Sequence, residues 1–138
     1  MEQSKQMQLI EAALAARETS YSPYSSFAVG AALLTKDGRI FTGANIESAS
    51  YTPTVCAERV AFFTAIHQGV RDFSAIAVLG GKAGHPVSAY CAPCGVCRQV
   101  MAEFCSGDFE IILYDGKTPK AYTLNDLLPE RFGKADLG

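Results

Sequence analysis

Apolar residues recur along the chain at two spacings, and these spacings predict alternating helices and strands. Residues three and four apart share a face of a helix, and one such face predicts a helix over residues 4–17: Leu9, Ala12, Ala13 and Ala16. Two apolar runs, Phe27–Thr35 and Arg39–Ala44, are joined through Lys36-Asp37-Gly38. Asp-Gly is a strong hairpin signal, so a β-hairpin is expected to follow the first helix.

The rest of the chain continues the alternation. A helix is expected from Cys56 to about Gln68, and then a buried strand over residues 74–79 that Gly80-Gly81 closes. A second helix is expected to begin at Pro93 or Cys94, since proline suits a first helical turn. Its core-facing residues are Cys97, Val100, Met101 and Phe104. Further strands are predicted at 109–114 and 120–123, and a short helix at 125–128. This order predicts an α/β fold with helices packed on a mixed sheet.

Composition and charge restrict the class of protein. A chain of 138 residues, 49% hydrophobic and 19% charged, suits one globular domain over residues 1–138. The net charge is −2, and the basic residues are scattered, so a small ligand is favoured over a nucleic acid. No apolar stretch reaches the roughly 18 residues of a membrane span, and no secretory leader is visible. We therefore expect a soluble, cytoplasmic protein with no membrane partner.

Two short motifs contain the residues most suited to chemistry, namely Cys56-Ala57-Glu58-Arg59 and Pro93-Cys94-Gly95-Val96-Cys97-Arg98-Gln99. Three thiolates leave a tetrahedral zinc ion one open position for water, as in catalytic sites. Both motifs begin helices, where the helix dipole stabilises thiolates. We therefore predict one Zn²⁺ per chain, bound by Cys56, Cys94 and Cys97. Glu58 is the expected general base for the water.

The two motifs are also compatible with other interpretations. Glu58 does not complete a helix-capping box, because Val55 stands where a serine or threonine would be needed; Thr54 remains a candidate helix cap. Cys91 makes a C-x-x-C-x-x-C run with Cys94 and Cys97, but an iron–sulfur site of that type needs a fourth cysteine. A closed four-cysteine zinc site that includes Cys91 is conceivable, yet it would leave Glu58 without a purpose.

The motifs also carry a family resemblance. Thr54-x-Cys-Ala-Glu-Arg59 and Pro93-Cys-Gly-x-Cys-Arg-Gln-x-x-x-Glu-Phe104 resemble the small homotetrameric cytidine deaminases. The resemblance continues through Phe27-x-Val-Gly-Ala-Ala32, Gly43-x-Asn-Ile-Glu47, Tyr51 and Leu127-Leu-Pro-x-x-Phe132. It implies a three-layer α/β/α sandwich. It also implies hydrolysis of cytidine and deoxycytidine to uridine or deoxyuridine and ammonia, in pyrimidine salvage, by a homotetramer whose subunits share their active sites.

The same resemblance implies roles for individual residues. Phe27 would pack on the pyrimidine, and the Ala57 N–H would bind the pyrimidine O2. In the segment Asn45-Ile46-Glu47, Asn45 and Glu47 would bind the ribose 3′-hydroxyl. Arg59 would hydrogen-bond to the ligand sulfurs and offset the negative charge of three thiolates. Tyr51 would order the ribose loop, and Phe132 would reach a neighbouring subunit's site.

Two further hypotheses stay open at the level of sequence. Deaminases of the nucleoside antibiotic blasticidin S share C-A-E and P-C-G-x-C-R-Q, although Phe27 and Asn45-Ile46-Glu47 favour ordinary nucleosides. A zinc-stabilised binding module without catalysis is the alternative from another class of protein.

Overall fold

The computed structural model describes residues 1–138 and contains one five-stranded sheet with helices on both faces. The elements in chain order are α1 (Gln3–Arg17), β1 (Phe27–Thr35), β2 (Ile40–Ala44), α2 (Ala57–His67), β3 (Phe73–Lys82), α3 (Gly95–Phe104), β4 (Glu110–Tyr114), β5 (Pro119–Thr123), α4 (Leu124–Leu127) and a 3₁₀ helix (Lys134–Leu137). All predicted helices and strands are present. The 3₁₀ helix was not predicted.

The sheet is mixed, as the alternating pattern predicts. Its strand order is β2-β1-β3-β4-β5. The pair β3–β4 is parallel, and the other neighbouring pairs are antiparallel. A parallel pair needs a long crossover, and α3 lies within that connection. The order and the directions confirm the predicted α/β fold with a mixed sheet.

Alternating side chains of the strands form two hydrophobic clusters, one on each face of the sheet. Ala32 and Leu34 point to a cluster that includes Leu9, Ile10 and Ala13 of α1. The opposite face carries residues that pack against α2, α3 and α4: Ala31, Leu33, Ile76, Val78, Ile111 and Leu113. Successive residues of a strand point to opposite faces, so a continuous apolar run can serve both clusters. This arrangement confirms the three-layer α/β/α sandwich.

Two glycines let the helices approach the sheet closely. A Cβ atom at Gly30 would lie 2.0 Å from the carbonyl oxygen of Ala13 in α1. A Cβ atom at Gly43 would lie 2.4 Å from the carbonyl oxygen of Ala57 in α2. Both separations are too short for any side chain. The absence of a side chain at Gly43 therefore allows the first turn of α2 to lie against β2.

Strand β3 is longer than predicted, because Gly80 and Gly81 lie within it instead of closing it. Their register partners in β1 are Val29 and Ala28. A Cβ atom at Gly80 would lie 2.8 Å from a methyl carbon of Val29 and 3.2 Å from the Phe27 ring. The missing side chain of Gly80 thus makes room for two residues of β1, and the strand continues through it to Lys82.

The strand directions bring several chain segments to one end of the sheet, where strands begin or finish. Phe27, the first residue of β1, pairs with Lys82, the last residue of β3, and Gly30 pairs with Ala44, the last residue of β2. The carboxyl ends of β2 and β3 therefore lie where β1 begins. Helices α2 and α3 follow these two strands in the chain. None of the helices combines the length and apolar character needed to cross a membrane.

Candidate active site

A cavity of about 320 Å³ opens at the end of the sheet where β1 begins. Its wall includes Cys56, Glu58 and Cys94 from the two motifs. It also includes four residues for which the resemblance implies substrate contacts: Phe27, Asn45, Glu47 and Ala57. The fold therefore brings together residues that the chain separates by up to about seventy positions.

The two helices of the cavity wall begin at cysteines. Cys56 is the N-cap of α2 and Cys94 is the N-cap of α3, and neither helix has a side-chain cap hydrogen bond. Both helices thus begin one residue or more later than expected, and Pro93 precedes α3 instead of forming its first turn. Thr54 does not cap α2, because its hydroxyl accepts a hydrogen bond from the Ser48 N–H at 3.0 Å. The capping interpretation of Thr54 was wrong.

Three sulfur atoms meet at these helix starts. The Sγ atoms of Cys56, Cys94 and Cys97 all lie within 4.8 Å of one another, and the Cys56 and Cys94 sulfurs are 3.6 Å apart. In a tetrahedral site with Zn–S bonds of about 2.3 Å, neighbouring sulfurs lie about 3.8 Å apart. Donor chemistry and spacing therefore fit one zinc ion.

Arg59 lies against the sulfur cluster, one turn after Cys56. Its Nη2 atom donates to the Cys56 sulfur at 3.5 Å. Its Nε atom is buried and has no hydrogen-bond partner. Hydrogen bonds from the Cys97 thiol and from Arg59 lower the pKa of Cys56 from 9.0 to about 5. Arg59 thus keeps one unpaired N–H donor beside the Cys56 thiolate. Such a donor is suited to a site in which more than one sulfur carries a negative charge.

Glu58 occupies the next position and is almost fully buried, with 3% of its surface exposed. Burial first, and then the charge of Cys56, raise the pKa of Glu58 from 4.5 to about 7. A carboxyl group that titrates near neutral pH can both accept and release a proton. Glu58 lies in the first turn of α2 and lines the cavity. The absence of a side chain at Gly43 lets this turn lie close to β2.

Cys91 contacts the cavity but lies outside the sulfur cluster. Burial raises the pKa of its thiol from 9.0 to about 11, so this cysteine is held as a neutral group. The four-sulfur arrangements that the C-x-x-C-x-x-C run suggested are therefore not formed. Cys105 is also half-buried, and burial raises its pKa to about 12.

The side chain of Asn45 holds the start of β1. Its Oδ1 atom accepts from the Val29 N–H at 2.9 Å and from the Ser20 hydroxyl at 2.5 Å, and its Nδ2 atom donates to the Phe27 carbonyl oxygen at 2.8 Å. One amide N–H of Asn45 remains beyond these contacts. The structure thus gives Asn45 a role in backbone positioning in addition to its place in the cavity wall.

Glu47 faces the same cavity from the segment that follows β2. Its carboxylate accepts from the Tyr24 N–H at 2.9 Å, from the Ser25 N–H at 3.1 Å and from the Ser25 hydroxyl. These contacts, the Ser25 hydroxyl first, lower the pKa of Glu47 below its usual 4.5. Glu47 is therefore an ionised hydrogen-bond acceptor at neutral pH.

The other residues for which substrate contacts were predicted differ in whether they line the cavity. Ala57 is fully buried in its wall, and Phe27 contributes a ring that is 42% exposed. Ile46 is exposed and pairs with Tyr21 and Val55 through isolated bridges. Tyr51 lines an adjacent cavity of about 410 Å³ that shares Ser25, Glu47 and Thr54 with the first one. Phe132 does not line either cavity.

Ser25 was not identified from the sequence, and Arg98 and Gln99 were named in the second motif without a predicted role. Ser25 contributes to both cavities and hydrogen-bonds to Glu47. Arg98 donates to the carbonyl oxygens of Pro93 at 2.7 Å and Leu127 at 2.6 Å, and it thereby ties the second motif to α4. Gln99 donates to the Phe132 carbonyl oxygen at 2.8 Å. The position of Ser25 two residues before Phe27 was the available signal, but its contact with Glu47 depends on the fold.

Comparisons with known proteins agree with this site. Residues 3–113 match the family model described as the cytidine and deoxycytidylate deaminase zinc-binding region. A cytidine deaminase from Sporosarcina psychrophila is 51% identical over 130 residues, which are 94% of this chain and 92% of that protein. The crystal structure of a cytidine deaminase from Burkholderia pseudomallei is 46% identical with a TM-score of 0.84, covering 96% of this chain and all of that one.

A blasticidin-S deaminase from Bacillus cereus is also similar, at 33% identity over 111 residues, which are 75% of this chain and 76% of that protein. The family match extends from α1 to β4 and includes both cysteine motifs. The chain therefore belongs to the cytidine and deoxycytidylate deaminase zinc-binding family.

Proposed function

We propose that this protein hydrolyses the C4 amine of cytidine and deoxycytidine and releases uridine or deoxyuridine and ammonia. The observation that carries the proposal is the buried Glu58, which lines one cavity together with Cys56 and Cys94, two members of the cluster of three sulfurs. The similarity to a cytidine deaminase at 51% identity supports the same activity. We further propose that residues 1–138 form one domain, and that the reaction serves pyrimidine salvage in the cytoplasm.

Cys56, Cys94 and Cys97 are the proposed ligands of one Zn²⁺. Zinc with three protein ligands supplies a Lewis acid with one open position at which a water molecule is activated. Arg59 reduces the negative charge of the three thiolates through its hydrogen bond to the Cys56 sulfur. Its unpaired Nε–H is available to the same cluster.

Glu58 is the proposed proton carrier. The water oxygen bonds to C4 of the pyrimidine, and Glu58 carries one proton from the water to ring N3. It carries the second proton to the amine at C4, so that the C4–N bond breaks and ammonia leaves. A pKa near 7 suits both transfers, since a general acid–base group works best when its pKa is close to the operating pH.

The cavity supports a nucleoside as substrate. Its volume of about 320 Å³ falls within the range of roughly 300–1,000 Å³ that small-molecule sites occupy. No lysine or arginine lines this cavity or the adjacent one, so a phosphate group would meet the Glu47 carboxylate without a compensating cation. Phe27 would pack on the pyrimidine, the Ala57 N–H would bind O2, and Asn45-Ile46-Glu47 would meet the sugar, with Tyr51 ordering this loop.

We also propose a homotetramer with shared active sites. Phe132 is 59% exposed, and the hydrogen bond from Gln99 to its carbonyl oxygen fixes the backbone at this position. Burial of this ring against another subunit would remove apolar surface from water, which is favourable. Such a contact would place Phe132 over a neighbour's substrate.

An ultraviolet assay on cytidine, deoxycytidine, deoxycytidylate and blasticidin S tests the proposed activity. Turnover of the first two compounds is expected, with Glu58→Gln retaining zinc and losing roughly 10²–10⁴-fold in kcat. Turnover of blasticidin S alone, or near-normal turnover by Glu58→Gln, would contradict the proposal. Zinc binding without turnover of any compound would favour a non-catalytic zinc-stabilised module.

A further inference from the structure

The segment before β1 connects two walls of the cavity through one hydroxyl group. The Ser25 hydroxyl donates to Oε2 of Glu47 and accepts a hydrogen bond from the Phe27 N–H at 3.0 Å. Glu47 follows the end of β2 and Phe27 is the first residue of β1, yet both line the cavity. Ser25 is the one side chain that hydrogen-bonds to both residues.

These contacts also determine how Glu47 can bind a ligand. An ionised carboxylate offers about four acceptor positions. Two on Oε1 are used by the Tyr24 and Ser25 N–H groups, and one on Oε2 is used by the Ser25 hydroxyl. The remaining position on Oε2 can accept one hydrogen bond from a ligand hydroxyl. Ser25 thus fixes the direction in which that position faces.

The backbone beside Ser25 is held in an unfavourable conformation. Ser26 has φ 57°, in the left-handed region, which is costly for a residue other than glycine. Its N–H donates to the Ser22 carbonyl oxygen at 3.0 Å, and its carbonyl oxygen accepts from the Ala83 N–H at 2.8 Å. The surrounding contacts therefore hold this turn in place, and the turn places the Ser25 hydroxyl between Glu47 and Phe27.

We propose that Ser25 is a positioning residue for substrate binding, which aligns the Glu47 carboxylate with the Phe27 end of β1. The inference rests on the proposed function, because it assigns the sugar to Glu47 and the pyrimidine to Phe27. Ser25 acts before the chemical step, so its loss affects substrate binding more than turnover of the bound substrate.

Four variants test this role: Ser25→Ala, Ser25→Thr, Glu47→Ala and the double variant Ser25→Ala/Glu47→Ala. Ser22→Ala is the matched control, because Ser22 lies in the same turn and makes no side-chain contact with Glu47. Ser25→Ala is expected to raise KM for cytidine about tenfold or more, the effect of a lost hydrogen bond to a charged group, with a smaller change in kcat. Ser25→Thr keeps the hydroxyl and should stay within about threefold of the parent protein.

The double variant distinguishes a positioning role from an independent one. If Ser25 acts through Glu47, its removal costs nothing further once Glu47 is alanine, and kcat/KM of the double variant equals that of Glu47→Ala. The inference would be overturned if kcat/KM of the double variant fell by the product of the two single-variant losses. It would also be overturned if Ser25→Ala kept the KM of the parent protein. An equal loss in Ser22→Ala would overturn it as well.

A binding measurement separates the inference from the proposed function. The dissociation constant for uridine, measured by calorimetry, should rise about tenfold in Ser25→Ala and remain unchanged in Ser22→Ala. A parent protein that binds uridine in this way but does not turn over cytidine would contradict the proposed function alone. A parent protein that deaminates cytidine while Ser25→Ala binds uridine normally would contradict the inference alone.

Discussion

Glu58 and Glu47 face one cavity in different surroundings, and the difference determines what each carboxyl group can do. Burial beside Cys56 raises the pKa of Glu58 to about 7, which suits a group that gains and loses protons. Donors from Tyr24 and Ser25 lower the pKa of Glu47, which suits a permanent acceptor. Neighbouring carboxyl groups with separated pKa values commonly have such distinct roles.

The cysteines differ in the same way, and this difference predicts their contributions to metal binding. Cys97→Ser should lose zinc, because it removes one sulfur of the cluster. Cys91→Ser should retain one zinc per chain, because its neutral thiol lies outside the cluster. Metal analysis of the two purified variants by mass spectrometry makes the comparison. Loss of zinc from Cys91→Ser would contradict the three-ligand site.

Outside the site, Arg17 connects several segments of the fold through one buried side chain. Its guanidinium is buried and donates to the carbonyl oxygens of Ala28 at 2.9 Å, Gly81 at 3.0 Å, Lys82 at 2.8 Å and His85 at 2.9 Å. These contacts join α1 to the strand ends beside the cavity.

Arg17→Met should therefore lower the free energy of unfolding by about 2–4 kcal/mol, because buried carbonyl groups would lose their donors. Arg71→Met is the control, since Arg71 is exposed and caps the end of α2 through the Ile66 carbonyl oxygen. Its expected effect is below about 1 kcal/mol. Urea denaturation of both variants measures the difference, and equal effects would contradict the assigned importance of Arg17.

At the level of elements, the contact between α2 and β2 determines where the first motif lies. Gly43→Ala should destabilise the protein by about 1–3 kcal/mol, because its Cβ would collide with the backbone of α2. Gly133→Ala should be neutral, because no atom lies within 4 Å of the added Cβ. Thermal unfolding of both variants, together with their zinc content, tests this prediction. A stable Gly43→Ala variant with full zinc would show that α2 can move away without loss.

The β1–β2 hairpin contains an ion pair whose effect should depend on pH. Hydrogen bonds from Arg39, and then from Thr35, lower the pKa of Asp37 from 3.8 to about 2. A lowered pKa means that the ionised group favours the folded state above the unfolded pKa, and that this contribution is lost as the pH falls from about 4 towards 2.

Asp37→Asn should accordingly have a slightly lower Tm than the parent protein at pH 6. The difference should become smaller below pH 4 and nearly vanish close to pH 2. Melting curves of both proteins over this range test the sign. A difference in Tm that grows on acidification would contradict the assignment of this carboxylate.

At the scale of the whole molecule, the proposed second subunit would complete the site at the end of the sheet where the cavity opens. Phe27 and Tyr51 are 42% and 74% exposed there. Closure of such a site excludes water and strengthens the electrostatic interactions within it. The exposed aromatic side chains fit the proposed assembly, in which Phe132 is the side chain expected to cross between subunits.

Phe132→Ala should raise KM for cytidine and leave the zinc content unchanged. Leu137→Ala is the matched control, because Leu137 is also exposed in the C-terminal segment, at 82%. Mixing Phe132→Ala subunits with Glu58→Gln subunits under exchanging conditions should restore part of the activity, since some sites would combine intact Glu58 and Phe132. A fully active monomer, or no restoration despite proven exchange, would contradict the shared site.

The amino-acid sequence alone determined the element order, the α/β class and which three cysteines are the candidate zinc ligands. These features depend on local periodicity and on residue types whose chemistry is independent of position. The two motifs are recognisable in the sequence, because Cys56 and Glu58 lie within one helical turn of each other, as do Cys94 and Cys97.

Only the tertiary structure decided how the walls of the cavity are connected. The continuation of β3 through Gly80, the hydrogen bond from the Ser48 N–H to the Thr54 hydroxyl and the position of Cys91 outside the cluster all depend on contacts that no single motif contains. The Ser25–Glu47 contact spans 22 positions, and the Arg17 contacts reach across as many as 68. Such pairs are set by strand register and close helix packing, and no local pattern specifies them, because a serine in a turn or an arginine at a helix end has the same residue type with or without its distant partner.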